Sequence, residues 1–305
     1  MTIYNTSCYR GIPGKYIAAG PLASRWLQQQ FASDATLIRS GAQVLGEPAA
    51  GYLSHPGYAA LPEAPYRYQE MLGVIWRENP SCYLQDGEQA VLMAALMETD
   101  NQGRPLIDAW IKRSGLTADA WLEKLFEATV IPFYHLLCRY GVALIAHGQN
   151  VTLVMKDYVP QRILLKDFQG DMRLVDEDFP QAQSLPEQVK AVTARLSADY
   201  IIHDLQTGNF VTVLRFISRL TLQCGVNETR FYQILALVLH RYMAAHPDLA
   251  ARFAKFDLFK PQIIRVILNP VKLTFSEHDG GSRMLPNYVC DLDNPLFLAS
   301  RESAQ

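Results

Sequence analysis

The stretch VALIAHGQNVTLVMKDYVPQRILLKDF, residues 142–168, decides how the rest of this 305-residue sequence is read. Apolar and β-branched residues run through 142–147, 151–156 and 162–168, and turn chemistry separates them at Gly148-Gln149-Asn150 and across 157–161, which contains Pro160. The spacing predicts a three-stranded antiparallel meander. Immediately upstream, 117–140 reads as a helix: Thr117 can cap it, Trp121, Leu125 and Ala128 recur at helical spacing, and Gly141 stands at the stop position. Pro132 inside that run predicts a kink.

Working outward, 89–99 carries a helical pattern, and helices are expected again at 186–205, 210–222, 228–246 and 249–253. The first 80 residues differ, with turn signals at Ile12-Pro13-Gly14, Gly20-Pro21, Gly46-Glu47-Pro48 and His55-Pro56-Gly57. Only a helix over 22–32 and a short strand or helix over 68–79 are expected there. The fold class is therefore α+β: a small antiparallel sheet packed with helices and followed by a mainly helical C-terminal lobe.

Composition narrows the function. Hydrophobic residues make up 49% and charged residues 19%, which excludes a disordered or fibrous chain. The 28 Lys+Arg nearly cancel the 30 Asp+Glu, leaving a formal charge of -2, so neither nucleic acid nor a membrane surface is an expected partner. No run approaches the roughly 20 apolar residues that span a bilayer, and the first residues lack a secretory pattern. The cysteines, Cys8, Cys82, Cys138, Cys224 and Cys290, are far apart and never spaced as metal ligands. Free thiols and a cytoplasmic location are the expectation.

The meander has a geometric consequence. If 151–156 pairs with 162–168 around the Pro160 turn, residue numbers across the pair sum to about 318, placing Asp167 opposite Val151 and beside Asn150. His147, Gln149 and Asn150 then reach the same end of the sheet as Asp167. Asn and Asp supply hard oxygen ligands of the kind magnesium takes while holding nucleotide phosphates, and a histidine beside them can donate to developing negative charge. The same spacing also fits a polar hairpin end facing water. A second cluster, residues 5–11 with Ser7 and Arg10, then Lys15 and Arg25, brings hydroxyls and three cations together as a phosphate site requires. It lacks the G-x-x-x-x-G-K-[ST] pattern, and a solvated terminus is its plainer reading.

Beyond these local readings, Ala146-His147-Gly148-Gln149-Asn150 followed by Lys166-Asp167-Phe168-Gln169-Gly170 resembles the paired signature of the siderophore synthetases that work independently of nonribosomal peptide synthetases. Further stretches extend the resemblance along the chain: TSCYRGIPGKYIAAGPLASRWLQQ (6–29), GEPAAGY (46–52), APYRYQEMLGVIWRENP (64–80), LLCRYG (136–141), RLSADY (195–200), HDLQTG (203–208) and NPVKL (269–273). The resemblance implies a palm-and-thumb-like carboxy-terminal half. Residues 1–80 would be a partial, fingers-like nucleotide-binding domain, and residues 81–305 a palm and thumb with the meander at 142–168 and a helical lobe at 186–260. It implies a ligase that uses ATP and Mg2+ to adenylate citrate or a citryl monoamide. The acyl group then passes to an amine or hydroxylamine such as N6-acetyl-N6-hydroxylysine.

Carried over by position, the resemblance makes Ser7, Arg10 and Lys15 phosphate contacts and Arg25 the bridge between α-phosphate and carboxylate. His147 becomes the catalytic histidine, and Gln149, Asn150 and Asp167 the nucleotide and magnesium set. Pro21 replaces a substrate-contacting threonine of many members, Ile145 a glutamate and Gln169 an acid, which leaves Asp167 as the main anionic ligand.

His203, His240, Arg265, Lys272 and Arg283 are read as packed or solvated side chains, and Tyr66, Tyr68 and Trp76 as packing within the first domain. Two other functions stay open at this level. One is a non-catalytic fragment that binds nucleotide or a missing N-terminal half, with a homodimer as a further possibility. The other is a kinase-like phosphotransferase, although the HGQN loop offers no aspartate base.

Overall fold

The structure is a computed structural model that describes residues 14–53, 55–60, 72–168, 171–267 and 287–302. Its centre is the helix Ala118–Tyr140, which is apolar on nearly every side and buries Trp121, Leu125, Phe126, Tyr134 and Leu137 among other residues. Such a helix belongs inside a core rather than on a surface. Thr117 Oγ1 accepts from Ala120 N at its start, and Gly141, at φ 65°, donates to Leu136 O and Leu137 O at its end. The helix runs through Pro132. One contiguous apolar core joins it to Trp26, Leu27 and Leu37 near the start of the chain and to Phe231, Leu235, Phe256 and Leu296 near the end.

Strands β1 (Gln43–Val44), β4 (Glu88–Leu92), β6 (Val151–Lys156) and β7 (Val159–Leu165) form a four-stranded sheet in the order β1-β7-β6-β4. Strands β2 (Ala49–Leu53) and β3 (Leu72–Trp76) pair separately, as do β10 (Gln262–Ile267) and β11 (Asn287–Asp293). A three-stranded sheet contains β5 (Val142–Leu144), β8 (Met172–Val175) and β9 (Ala194–Leu196) in the order β5-β8-β9. The α+β class is as expected.

The meander is not. The 151–168 hairpin forms, but β5 leaves it to pair antiparallel with β8. All three β5 side chains are buried, so its sequence has no polar face to choose between neighbouring sheets. The hairpin is also tighter than expected, with Val151 opposite Leu165 instead of Asp167. Asp157 (φ 50°) and Tyr158 (φ 64°) turn the chain in two residues, as primed hairpin turns do. Pro160 therefore sits within β7, where the register shifts beside Met155, one of the few strand positions that tolerate proline. Trp121 Nε1 pins this turn by donating to Tyr158 O at 2.8 Å.

Other departures have tertiary causes. The pattern over 89–99 becomes β4, paired along its length with β6, followed by the 3-10 segment Met93–Met97. The helix expected over 186–205 breaks into short turns around β9, which pairs parallel with β8. Residues 210–222 lie in the π-helix Gln206–Leu214, the α-helix Arg215–Leu220 and a 3-10 turn. The C-terminal lobe thus contains strands as well as helices. By contrast, Glu228–Ala245 forms as read, capped by Asn227, and the helix expected over 22–32 extends to Gly14–Ser33. The thiols of Cys82, Cys138 and Cys224 are free, and burial pushes that of Cys138 far up and that of Cys224 up to about 11.

Candidate active site

The segment 145–150 crosses from the β5 sheet to β6, and it is clamped on two sides. From one side Ala94 N donates to Gly148 O at 2.9 Å, and a Cβ on Gly148 would come within 3.1 Å of the Ala94 backbone. From the other, Asn209 on the π-helix donates from Nδ2 to Ala146 O at 3.0 Å, while Gly208 lets that helix approach to where an added Cβ would lie 3.3 Å from Ala146 N. The wide turns of a π-helix are frequent at functional sites. Here they bring Gly208 and Asn209 against the residue that precedes His147.

Within the clamp, Asn150 N donates to His147 O at 2.9 Å, and Gln149 N donates to His147 Nδ1 at 3.3 Å. Nδ1 therefore accepts, which places the proton of the neutral imidazole on Nε2. Asn150 is buried, and its Nδ2 donates to Asp171 Oδ2 at 3.1 Å and to Ile145 O at 3.4 Å. Those bonds orient the amide and leave Oδ1 as its acceptor without a hydrogen bond among the described residues. Gln149 is exposed.

Asp167 lies just past the end of β7 in a left-handed conformation, φ 64°. Arg77 Nη2 donates to its Oδ1 at 2.5 Å, and Lys166 Nζ stands 3.6 Å from Oδ2. The same Nη2 reaches Glu47 Oε1 at 3.0 Å, and Arg77 Nε reaches that oxygen at 3.3 Å. Glu47 has no side-chain exposure, and its Oε2 has no partner among the described residues. Burial raises its carboxyl above the ordinary value, against the opposing pull of Arg77. Glu47 N in turn donates to Ser24 Oγ at 3.0 Å, which ties this network to the Gly14–Ser33 helix one residue from the exposed Arg25.

The expected residues thus fall into three groups. His147, Gln149 and Asn150 share one loop, and Asp167 leaves the strand paired with the one that follows it. Among the described residues, Arg25 is connected to Asp167 through Ser24, Glu47 and Arg77, and no bond joins it directly to His147 or Asn150. Ser7 and Arg10 lie outside the described residues. Lys15 belongs to the first helix, but its side chain is outside them. Among the described residues no group of three His, Cys, Asp or Glu is placed to hold a metal.

The sequence reading missed Glu47, Arg77, Asp171 and Asn209. Glu47 and Arg77 fall inside the family-like stretches 46–52 and 64–80, and Asn209 directly follows 203–208, so the stretches pointed at them without indicating roles. The remaining aromatic and histidine expectations divide. His240 stacks on Phe259 with ring centroids 4.5 Å apart, and His203 is buried against Tyr200. Trp76 is 55% exposed rather than packed, and Tyr66 and Tyr68 lie outside the described residues.

Comparison with known proteins now adds the family. The IucA / IucC family model matches residues 1–98, and a model described as ferric iron reductase FhuF-like transporter matches residues 119–282. The aerobactin synthase of Escherichia coli is 70% identical over 302 residues, covering 99% of this chain and 52% of that protein. The chain belongs to the IucA / IucC family.

The aerobactin synthase of Vibrio mimicus is 59% identical over 98% of this chain and 51% of its own length. Among solved structures, aerobactin synthetase IucC from a hypervirulent Klebsiella pneumoniae superposes with a TM-score of 0.84 at 66% identity, covering 95% of this chain and 49% of that one. ATP-bound IucA from the same pathotype, at 17% identity and a TM-score of 0.68, shares the fold. The chain therefore spans about half the length of the IucA / IucC relatives it matches.

No helix of the described residues is long and apolar enough to cross a membrane.

Proposed function

We propose that this chain carries the adenylating site of a siderophore synthetase, working in the cytoplasm on ATP and a citrate-type carboxylate. The observation that carries the proposal is the loop 147–150, which fixes the His147 tautomer and the Asn150 amide at the sheet end where Asp167 emerges. In the first step a carboxylate oxygen attacks the α-phosphorus of ATP. The bond to the bridging oxygen breaks, pyrophosphate leaves with that electron pair, and an acyl adenylate remains. In the second step the nitrogen of an amine such as N6-acetyl-N6-hydroxylysine attacks the acyl carbon, loses a proton, and AMP departs. Citrate or its monoamide is thereby joined through an amide bond.

Neither step requires a covalent bond to the protein. Positioning and charge neutralisation supply the rate. His147 donates from Nε2 to the oxygen on which charge grows, and Arg25 bridges α-phosphate and carboxylate. Ser7, Arg10 and Lys15 hold phosphate oxygens, and Gln149 orients the nucleotide. The donor set also suits Mg2+, since Asn150 retains Oδ1 and Asp167 retains Oδ2, both hard oxygens, and magnesium sites commonly use one or two protein ligands with the rest from phosphate and water. When bound there, Mg2+ neutralises phosphate charge.

The test is ATP–pyrophosphate exchange that depends on a citrate-type acid. Exchange is expected from the wild-type chain and should fall at least 100-fold in Asp167→Ala. Full exchange in that variant overturns the site. ADP instead of AMP among the products would replace the ligase with a phosphotransferase. Nucleotide binding without exchange by a folded chain would leave only a fragment that needs the other half of its longer relatives.

A further inference from the structure

Asp167 occupies an unusual position for an anionic ligand, because a guanidinium already holds one of its oxygens. Arg77 follows β3 and Glu47 precedes β2, and these strands pair with Ala49 opposite Trp76. Both side chains therefore leave the same end of one ribbon. Glu78 N donating to Gly46 O at 2.9 Å continues the pairing beyond the strands and fixes that end. Glu78 Oε2 also accepts from Gly46 N at 2.6 Å and from Gln28 Nε2 at 3.2 Å, which stakes the ribbon to the first helix. Arg77 thus projects from a backbone held on two sides.

The charges do not suit a purely structural ion pair. Arg77 Nη2 is shared between two carboxylates, and the one with no side-chain exposure is left with an oxygen unpartnered among the described residues. Replacing buried ion pairs by apolar residues is often neutral or stabilising, so such a pair is weak evidence of a stability role. What Arg77 accomplishes is directional. It fixes Oδ1 of a residue held at positive φ, where the side chain would otherwise sample several rotamers, and leaves Oδ2 without a hydrogen bond among the described residues, with the Lys166 ammonium 3.6 Å away.

We infer that Arg77, oriented by buried Glu47, is a positioning residue that presents Asp167 Oδ2 as a single-oxygen ligand for the divalent cation accompanying the nucleotide. This rests on the adenylating-site reading and adds to it the device that aims its anionic ligand. Partners of this kind typically contribute 10–100-fold to metal affinity. The planar fork is essential, because lysine supplies the charge without fixed directions.

The test uses Mn2+ as the probe, with its free concentration followed by electron paramagnetic resonance in the presence of a non-hydrolysable ATP analogue and the full 305-residue chain. The variants are Arg77→Lys and the double variant Glu47→Gln/Arg77→Gln, which substitutes two neutral amides for the buried pair and so keeps the fold testable if single changes misfold. Thermal unfolding is measured on each. The expected result is that both variants melt near the wild type while Mn2+ binding weakens at least 10-fold, with nucleotide affinity in the absence of metal changed less than threefold. A folded variant of either kind that binds Mn2+ within twofold of the wild type overturns this inference and leaves the adenylating site standing. Nucleotide-dependent Mn2+ binding absent from the wild-type chain overturns both.

Discussion

Asp34 and Glu47 are two acidic side chains anchored to the same N-terminal helix, and the protein treats them in opposite ways. Asp34 follows the helix and is fully satisfied. Its Oδ1 accepts from Thr36 N at 2.8 Å and Leu37 N at 3.1 Å, and its Oδ2 meets His135 Nε2 and Tyr140 Oη, each at 3.1 Å. Burial works to raise its carboxyl, but His135 and the two backbone amides outweigh that and hold it well below the ordinary range. Glu47 is more deeply placed, but it shares one arginine with Asp167 and is raised. A saturated carboxylate holds elements together. An undersatisfied one beside a candidate ligand site points to chemistry, because that arrangement is costly for stability alone.

The contrast can be broken most severely at Asp34. Asp34→Ala removes a helix cap and leaves buried His135 and Tyr140 short of a partner, so urea unfolding should show a loss of roughly 3 kcal/mol. Exchange activity per folded molecule should remain near wild type. On the other side of the comparison, Gly148→Ala forces a Cβ against the Ala94 backbone and displaces the His147 loop. Stability should fall by about 1–2 kcal/mol, while exchange falls more than 10-fold, since small misplacements of catalytic groups are expensive. Equal stability losses with equal activity losses at the two sites would erase the distinction.

The smallest effect concerns pH and has opposite signs. Asp34, depressed in the folded state, contributes stability that is present above its ordinary value of 3.8 and lost as pH falls through the lower folded value. Glu47, raised in the folded state, contributes stability that is full below its ordinary value of 4.5 and lost as pH rises through the higher folded value. Asp34→Asn should therefore flatten the acid limb of a stability profile, and Glu47→Gln the limb above pH 4.5. Matching slopes in the two variants would mean that both carboxylates titrate alike.

The parts of this fold legible in the sequence were those set by local chemistry. Thr117, Gly141 and Asn227 mark helix ends through bonds to residues a few positions away, so the two long helices were bounded within a residue or two. The 89–99 segment and β5 were misread because their fate depends on partners remote in sequence: β6 captures the first, and β8 the second. The register error had a local origin, the two-residue turn at Asp157-Tyr158, where neither residue is the glycine or asparagine that usually announces positive φ.

The candidate site divides the same way. His147, Gln149 and Asn150 lie within one loop, so their proximity is legible from spacing alone. Asp171, Arg77, Glu47 and Asn209 act across sheets and could not be assigned roles from spacing. Asn209 Oδ1 and Glu47 Oε2, buried without partners among the described residues, are visible only once the chain is folded.

The bridge from Arg77 to Asp167 also has a kinetic side. Its ends are 90 residues apart, and the clamp from Asn209 to Ala146 spans another 63. The long central helix and the hairpin that follows it are built from nearby residues and can form early, whereas each bridge must await loop closure. Ligand-aiming geometry is then among the last native features gained and, on heating, among the first lost. A chain that has formed the central helix and its hairpin but not closed those loops would still lack an aimed Asp167, so on the adenylating-site reading the chemistry waits for completion of the fold.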